Sequence, residues 1–305
     1  MKKQEKAVKV RDYDRKFRLT PYVYIAPFFI GYTVFALFPT IYAAFLSLFD
    51  WGGVGPKLFV GLNNYVNVLS SEFFWHSILI SLEYMITGPI TTFVALILAF
   101  IVGNKMVVGS NLYRVTYFLP QITMPVAVGL LFRILLGWDY GILNKVLIGM
   151  NIIDSPINWL GDAKNVLWCV VIVVVWRYFG MHLVIYLGGI RSIDPSLYEA
   201  ARIDGANTWN IFTRITIPLL KPYIIYLLIT GINGSINLFD EPMMLFGVSG
   251  GPRGAGQNAG LFIYQAIFVN RQWGYGSAMS FVVFVIVAVL SILFYKINYR
   301  NGMEV

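Results

Sequence analysis

Charge is scarce in this 305-residue chain: Asp, Glu, Lys and Arg make up 12% of it, against roughly 25% in a soluble domain. Cysteine occurs once, at Cys169, which excludes an internal disulfide framework and a cysteine metal site. The two histidines, His76 and His182, lie far apart and argue against a histidine metal site. No GxxxxGK[ST] run occurs, so the chain has no visible loop for ATP phosphates. A nucleophile–base constellation is also missing, and with it the basis for an enzyme. Catalytic and metal-ligating residues are therefore expected to be none. The net charge of +8 is not arranged as a basic stripe interleaved with aromatics, so nucleic acid is not an expected partner. What is abundant is apolar surface: 58% of residues are hydrophobic and the mean hydropathy is +0.68. These values point to a polytopic membrane protein.

A helix needs about 20 apolar residues to cross a ~30 Å hydrocarbon core. Runs of that length lie near 22–49, 76–103, 112–136, 166–190, 219–239 and 277–298, which predicts an all-α membrane protein of six spans. The first run is too long for the h-region of a signal peptide and reads as an uncleaved span. Six spans place both termini on one side. With the N-terminus cytoplasmic, sixteen Lys and Arg fall on the inner segments and six on the outer ones, Arg177 alone lying within a span. That asymmetry sets the orientation. It makes 1–21 a basic cytoplasmic tail, 299–305 a second, shorter tail, and 191–218 a cytoplasmic loop. The outer segments read either as solvated connectors with interfacial anchors such as Trp159, or as a platform for an external protein. The run GVSGGPRGAGQNAG at 247–260 is expected to be mobile.

Polar residues within the spans have two competing readings: a functional path, or glue between helices. Thr230, Asn233 and Asn237 recur at i, i+3 and i+7, which puts them on one helix face. Amides and hydroxyls offer both donors and acceptors, as a neutral polyol requires. Trp176 and Tyr178 could stack on a sugar ring or simply pack. Arg177 costs roughly 2.5–3.5 kcal/mol at the centre of a span, so a carboxylate partner is expected, with Glu83 and Asp240 the candidates. Pro89, Pro120 and Pro125 should kink spans two and three.

Between the fourth and fifth runs lies a polar island from Arg191 to Lys221. Asp194 can cap a first helix with Pro195 in its first turn. Gly205 can end it in the left-handed conformation. Thr208 can cap a second helix that carries Ile211, Phe212 and Ile215 on one face until Pro218 interrupts the ladder. The first helix has only a shallow apolar face of Leu197, Ala200 and Ala201, better suited to a partner's groove than to a core.

Glu199-Ala200-Ala201, Gly205, Ile215 and Ile217-Pro218, at this spacing, resemble the EAA loop of ABC-importer membrane subunits. The one departure is Ile217, where leucine is commoner in the family. Patterns at Gly141 to Asn144, Trp159-Leu160-Gly161, Gly250-Gly251-Pro252, Arg114, Pro120 and Pro125 resemble the carbohydrate branch. The resemblance implies a type I importer permease fold in the bacterial plasma membrane. It also implies a sugar as substrate, an amino acid, peptide or phosphate compound being the alternative solute. The implied partners are a second, homologous permease subunit, two ATPase subunits that carry ATP and Mg²⁺, and an external solute-binding protein. This chain would itself hold no cofactor. Glu199, Ala200, Ala201 and Gly205 would dock on the ATPase, with Ile215 and Pro218 tying the second helix to span five. A stand-alone channel or carrier would have no use for such a loop.

Overall fold

The computed structural model describes the backbone of residues 10–103 and 110–300, with side chains described for 20–103 and 116–296. Most of the basic tail, Lys105 and residues 301–305 lie outside these limits, as does the side chain of Arg114. The described residues are mostly helical, in keeping with the hydropathy of the chain. Backbone polar groups in hydrocarbon must be satisfied internally, and a helix does this within a single segment.

Helix α1 (Val10–Tyr32) passes through a π-turn at Thr33–Leu37 into α2 (Phe38–Leu46). A two-stranded antiparallel hairpin, β1 (Phe49–Asp50) with β2 (Leu58–Phe59), follows. Short α3 (Asn63–Leu69) leads to α4 (Glu72–Tyr84) and α5 (Thr87–Gly103). Then come α6 (Ser110–Ile122), α7 (Pro125–Leu135), the brief α8 (Ile142–Gly149) and the long α9 (Val166–Ser192). The polar island forms α10 (Pro195–Ile203), α11 (Thr208–Ile211), a π-turn (Phe212–Thr216) and α12 (Ile217–Leu219). Helix α13 (Lys221–Ile236), α14 (Asp240–Phe246), α15 (Ala259–Tyr264) and α16 (Trp273–Arg300) complete the chain.

Among the described residues, four helical stretches are long and apolar enough to cross a membrane: Thr20–Leu46, Glu72–Gly103, Val166–Ser192 and Trp273–Lys296. The third and fifth predicted spans are bent instead of straight. Thr116–Ile122 and Pro125–Leu135 meet at 107°, and Thr208–Leu219 meets Lys221–Ile236 at 65°. Counting each bent pair once gives six. Proline is the local cause of both breaks. Pro125 heads α7 after Met124 in an extended conformation, since the residue before proline avoids the helical region. At the second break Pro222 stands four residues after Pro218, and its ring opposes that carbonyl. The ladder thus breaks at Leu220 and not at Pro218, as the sequence implied. The π-turn immediately before Ile217 lets the helix pass Pro218, and a matching π-turn precedes Pro39.

Helix α9 is the hub, packed along α5 and α6 and also touching α4, α13 and α14. The core divides into three clusters. One joins α4, α7, α9 and α14 through Tyr84, Phe132, Val170 and Leu245. Another, at the island end, gathers Ala99, Leu183, Tyr186, Phe212 and Leu220. A third packs α16 against α3, α4 and α13 through Val68, Phe74, Ile236 and Met279. The first stretch, Thr20–Leu46, buries almost none of its apolar window and leaves Phe28, Phe35 and Phe38 exposed.

Close crossings depend on glycine. A Cβ on Gly180 of α9 would lie 1.8 Å from the Tyr117 carbonyl oxygen of α6, a backbone atom that cannot step aside. Gly180→Ala should therefore destabilise the chain by about 1–3 kcal/mol, read as a lowered melting temperature in detergent. Gly188→Ala, where a Cβ meets nothing within 4 Å, should not.

The glycine-rich run expected to be mobile is instead closely held. The Tyr84 hydroxyl donates to the Gly256 carbonyl (3.2 Å), and the Ala259 amide donates to Ser81 Oγ (2.9 Å). Asn258 bonds the Leu238 carbonyl through its side-chain amide and accepts from the Leu261 amide to cap α15. Glycines at 247, 250, 251 and 254 have positive φ, which is what lets so many turns fit into so few residues.

Candidate functional site

The island forms an exposed elbow, and its shape follows from its residues. Asp194 Oδ1 accepts from the Ser196 amide at 2.9 Å, and this bond holds the Asp194 carboxyl below its ordinary value. Pro195 occupies the first turn, as expected. At the other end Gly205 has φ +79°. Its amide donates to the Arg202 carbonyl (3.1 Å), and the Ala206 amide reaches back to the Ala201 carbonyl (2.9 Å). This is the paired bonding of a Schellman terminus, so Ala201 and Gly205 jointly build the stop. The second cap lies one residue earlier than predicted: Asn207 Oδ1, and not Thr208, accepts from the Asn210 amide (2.8 Å).

Helix α10 buries none of its residues. Glu199 and Ala200 are exposed and Ala201 is half-buried. Leu197 and Ile203 extend the apolar strip, with Ile203 85% exposed, and Trp209 on α11 is 67% exposed. Large apolar groups left so open on a polar segment are what a partner surface covers. The elbow is anchored from beneath. Tyr198 and Thr216 share a hydroxyl–hydroxyl hydrogen bond at 3.3 Å, and Phe212 packs against Phe100, the rings tilted with centroids 4.5 Å apart. Ile211 and Phe212 are buried, Ile215 is half-buried and Pro218 is exposed. Sequence reasoning missed Tyr198 and Thr216; only their placement on the inward faces could have indicated them.

In the spans the structure separates residues that the sequence placed on one stripe. Thr230 shares a cavity of about 220 Å³ with Thr87, Thr91, Tyr178, His182 and Ser235. Helices α5 and α13 cross here backbone to backbone, a Cβ on Gly231 falling 3.4 Å from Gly88 Cα. The Thr230 hydroxyl is engaged by its own helix, at 3.0 and 3.1 Å from the Tyr226 and Leu227 carbonyls. Asn233 and Asn237 face a different space of about 330 Å³, beside Ser280 and Phe284. There the Asn237 amide donates to Asn233 Oδ1 at 2.7 Å. Trp176 lies in the core with its ring edge-on to Phe132 at 5.3 Å, outside both spaces. His182 and the threonines of α5 escaped sequence reasoning because single hydroxyls in an apolar run carry no periodic signal.

Arg177 is buried, and its partner corrects one of the two named candidates. Glu83 is exposed and does not pair with it. Arg177 Nη1 donates to Glu241 Oε1 at 2.7 Å, and Asp240 Oδ2 stands at 3.7 Å. Glu241 is almost wholly buried. No cluster of three or more His, Cys, Asp or Glu able to hold a metal occurs among the described residues.

This fold has close counterparts. The chain superposes on a chain of a bacterial ABC transporter involved in the import of the acidic polysaccharide alginate, with a TM-score of 0.78, 22% identity, and coverage of 96% of this chain and 98% of that one. In sequence it is 34% identical over 290 residues to the lactose transport system permease protein LacF of Rhizobium radiobacter, covering 94% of this chain and 97% of that protein. It is 31% identical over 283 residues to the arabinooligosaccharides transport system permease protein AraP of Bacillus subtilis, covering 92% and 89%. Residues 95–301, which hold the elbow, match the family described as the binding-protein-dependent transport system inner membrane component. The chain belongs to that family.

Proposed function

We propose that this chain forms half of the membrane pathway of an ATP-binding cassette importer for a carbohydrate. The observation that carries the coupling role is the elbow: a helix capped at both ends, tied down by Tyr198 and Phe212, yet with Leu197, Ala200, Ile203 and Trp209 uncovered. In this reading six spans place both termini and the elbow in the cytoplasm of a bacterial-type plasma membrane. Glu199, Ala200, Ala201 and Gly205 seat in a groove on one of two ATPase subunits, which bind and hydrolyse ATP with Mg²⁺. Ile215 and Pro218 join the second elbow helix to the bent fifth span. A second, homologous permease supplies the other half of the pathway, and an external binding protein delivers the solute. ATP can shift the spans only if the elbow makes different contacts in the two states.

A sugar as solute is supported by the lactose and arabinooligosaccharide systems of the relatives above, and by the hydroxyls facing the Thr230 cavity. Tyr178, Thr230, Asn233 and Asn237 remain the path candidates; Trp176 would act on them through packing alone.

Two measurements test this reading. Affinity purification of the tagged chain from mild detergent should bring down a second permease, an ATPase and a sugar-binding protein. Recovery of the chain alone, active in liposomes, would instead establish a stand-alone carrier. Glu199→Cys should react with a membrane-impermeant thiol reagent only from the cytoplasmic side, and reaction from outside alone would reverse the topology.

A further inference from the structure

At the end of the bundle away from the elbow, a second polar space opens where the hairpin, α3 and the start of α16 converge. Its volume is about 310 Å³, and Asp50, Asn63, Asn64, Asn67, Gln272 and Tyr275 line it. These side chains come from three separate parts of the sequence, and the backbone holds them there. The Trp273 and Gly274 amides both point at the Trp51 carbonyl, at 3.0 and 3.4 Å. Gly274 permits the approach, since a Cβ there would stand 1.8 Å from the Phe49 carbonyl oxygen. Buried Asn64 forms the floor and donates to the Ser47 and Phe49 carbonyls at 2.8 and 2.9 Å. Asn63 and Asn67 stand one turn apart on α3, so their amides share a face.

The wall is unusual for what it leaves unused. Among the described residues, the side chains of Asp50, Asn63, Asn67, Gln272 and Tyr275 make no hydrogen bond or ion pair with the protein. Three carboxamides and a phenol present donors and acceptors together, and Asp50 adds an acceptor. No cation lines the space, which disfavours an anion. The nearby Lys57 is taken up by the Tyr42 hydroxyl (2.7 Å) and the Trp51 ring. One carboxylate is too little charge for a strong calcium site, which draws on several. Groups that each both donate and accept match a sugar hydroxyl, which does the same. The size lies at the low end of small-molecule sites, about 300–1,000 Å³, and suits a single sugar residue better than a chain.

We infer that this pocket binds one neutral sugar residue at the outer mouth of the protein, apart from the Thr230 cavity. The ligand class rests on the carbohydrate reading above, and the outer location on the six-span topology. Such a site would catch solute as it passes from the external protein towards the path.

Trp51 and Trp273, with ring centroids 5.9 Å apart, adjoin the pocket and serve as reporters. The full chain in lipid nanodiscs is titrated with lactose, maltose and trehalose while tryptophan emission is followed. A saturable shift is expected with at least one sugar. In Asn63→Ala/Asn67→Ala, which alters two exposed side chains, the apparent Kd should rise about ten- to thirty-fold, as loss of two hydrogen bonds implies. Gln272→Ala should weaken binding less, and helical circular dichroism should be unchanged in both variants. Flat titrations with all three sugars would overturn the assignment, as would an unaltered Kd in the double variant. So would a shift driven by calcium chloride that no sugar reproduces. ATP-driven uptake by the assembled importer separates the two ideas: sugar uptake with flat titrations removes this pocket alone, whereas an importer that carries no sugar removes the carbohydrate reading itself.

Discussion

Substituting valine for Gly205 is expected to abolish solute uptake while leaving the chain inserted in the membrane and paired with its partners. The position has φ +79°, a region that a β-branched residue enters only as an outlier, at a cost of about 1–3 kcal/mol. A Cβ there meets nothing within 4 Å in this chain, so the fold itself is not overpacked. The damage is to the stop: losing the left-handed residue releases the bonds to the Arg202 and Ala201 carbonyls and lets α10 run on or fray. In the reconstituted importer, ATP hydrolysis should continue without its stimulation by loaded binding protein, and uptake should fall to background. Gly205→Asn should retain much of the coupling, because asparagine tolerates the left-handed region. Normal uptake by the valine variant would remove the main support for the elbow as the coupling element.

The second large effect is expected at Glu241. Its side chain is 2% exposed and that of Arg177 9%, so removing either strands an uncompensated charge in the core. Breaking a buried pair in this way costs about 3–5 kcal/mol. Glu241→Ala should therefore give a chain that unfolds far earlier on heating in detergent. Arg177→Met/Glu241→Leu should recover most of the loss, since an apolar pair of similar volume replaces a buried ion pair at little cost. Asp240 is 46% exposed and 3.7 Å away, so Asp240→Ala should change stability by under about 1 kcal/mol. A mild Glu241→Ala phenotype would mean that Arg177 is solvated by an aqueous cavity and not held by its neighbour.

The features legible in the sequence were those with a local physical cause. Asp194 and Pro195 start a helix and Gly205 stops it through backbone chemistry that needs no tertiary contact, and all three behave as read. Long apolar runs likewise coincide with the helices that are long and apolar enough to cross a membrane and with the two bent pairs. Direction was not legible. Pro120, Pro125, Pro218 and Pro222 announce that a helix is disturbed, but the 107° and 65° bends depend on what packs around each break. The partner of Arg177 was hidden for a related reason. Glu83 lies well inside an apolar run, yet its helix faces it outward, whereas Glu241 follows a break after α13 and turns inward on a separate short helix. The i, i+3, i+7 stripe divides between Thr230 and Asn233, both on α13: the first borders the space shared with α5 and α9, while Asn233 and Asn237 border the one shared with α15 and α16. The 247–260 run misled in the opposite direction: glycine signals conformational freedom, but four positive-φ glycines here wind the chain into bonds with α4 and α15.

The hydroxyl pair Tyr198–Thr216, set against the break at Leu220, makes the elbow and the fifth span a crank. A push on α10 would reach the π-turn before the break through that bond, and the 16 residues of α13 would swing from that point as a stiff rod. At 1.5 Å per residue such a rod is about 24 Å long, and a tilt of about 10° moves its far tip by roughly 4 Å. A nudge at the elbow too small to repack the core would thus be magnified, beside Asn233 and Asn237, into a displacement the width of a hydroxyl and its hydration.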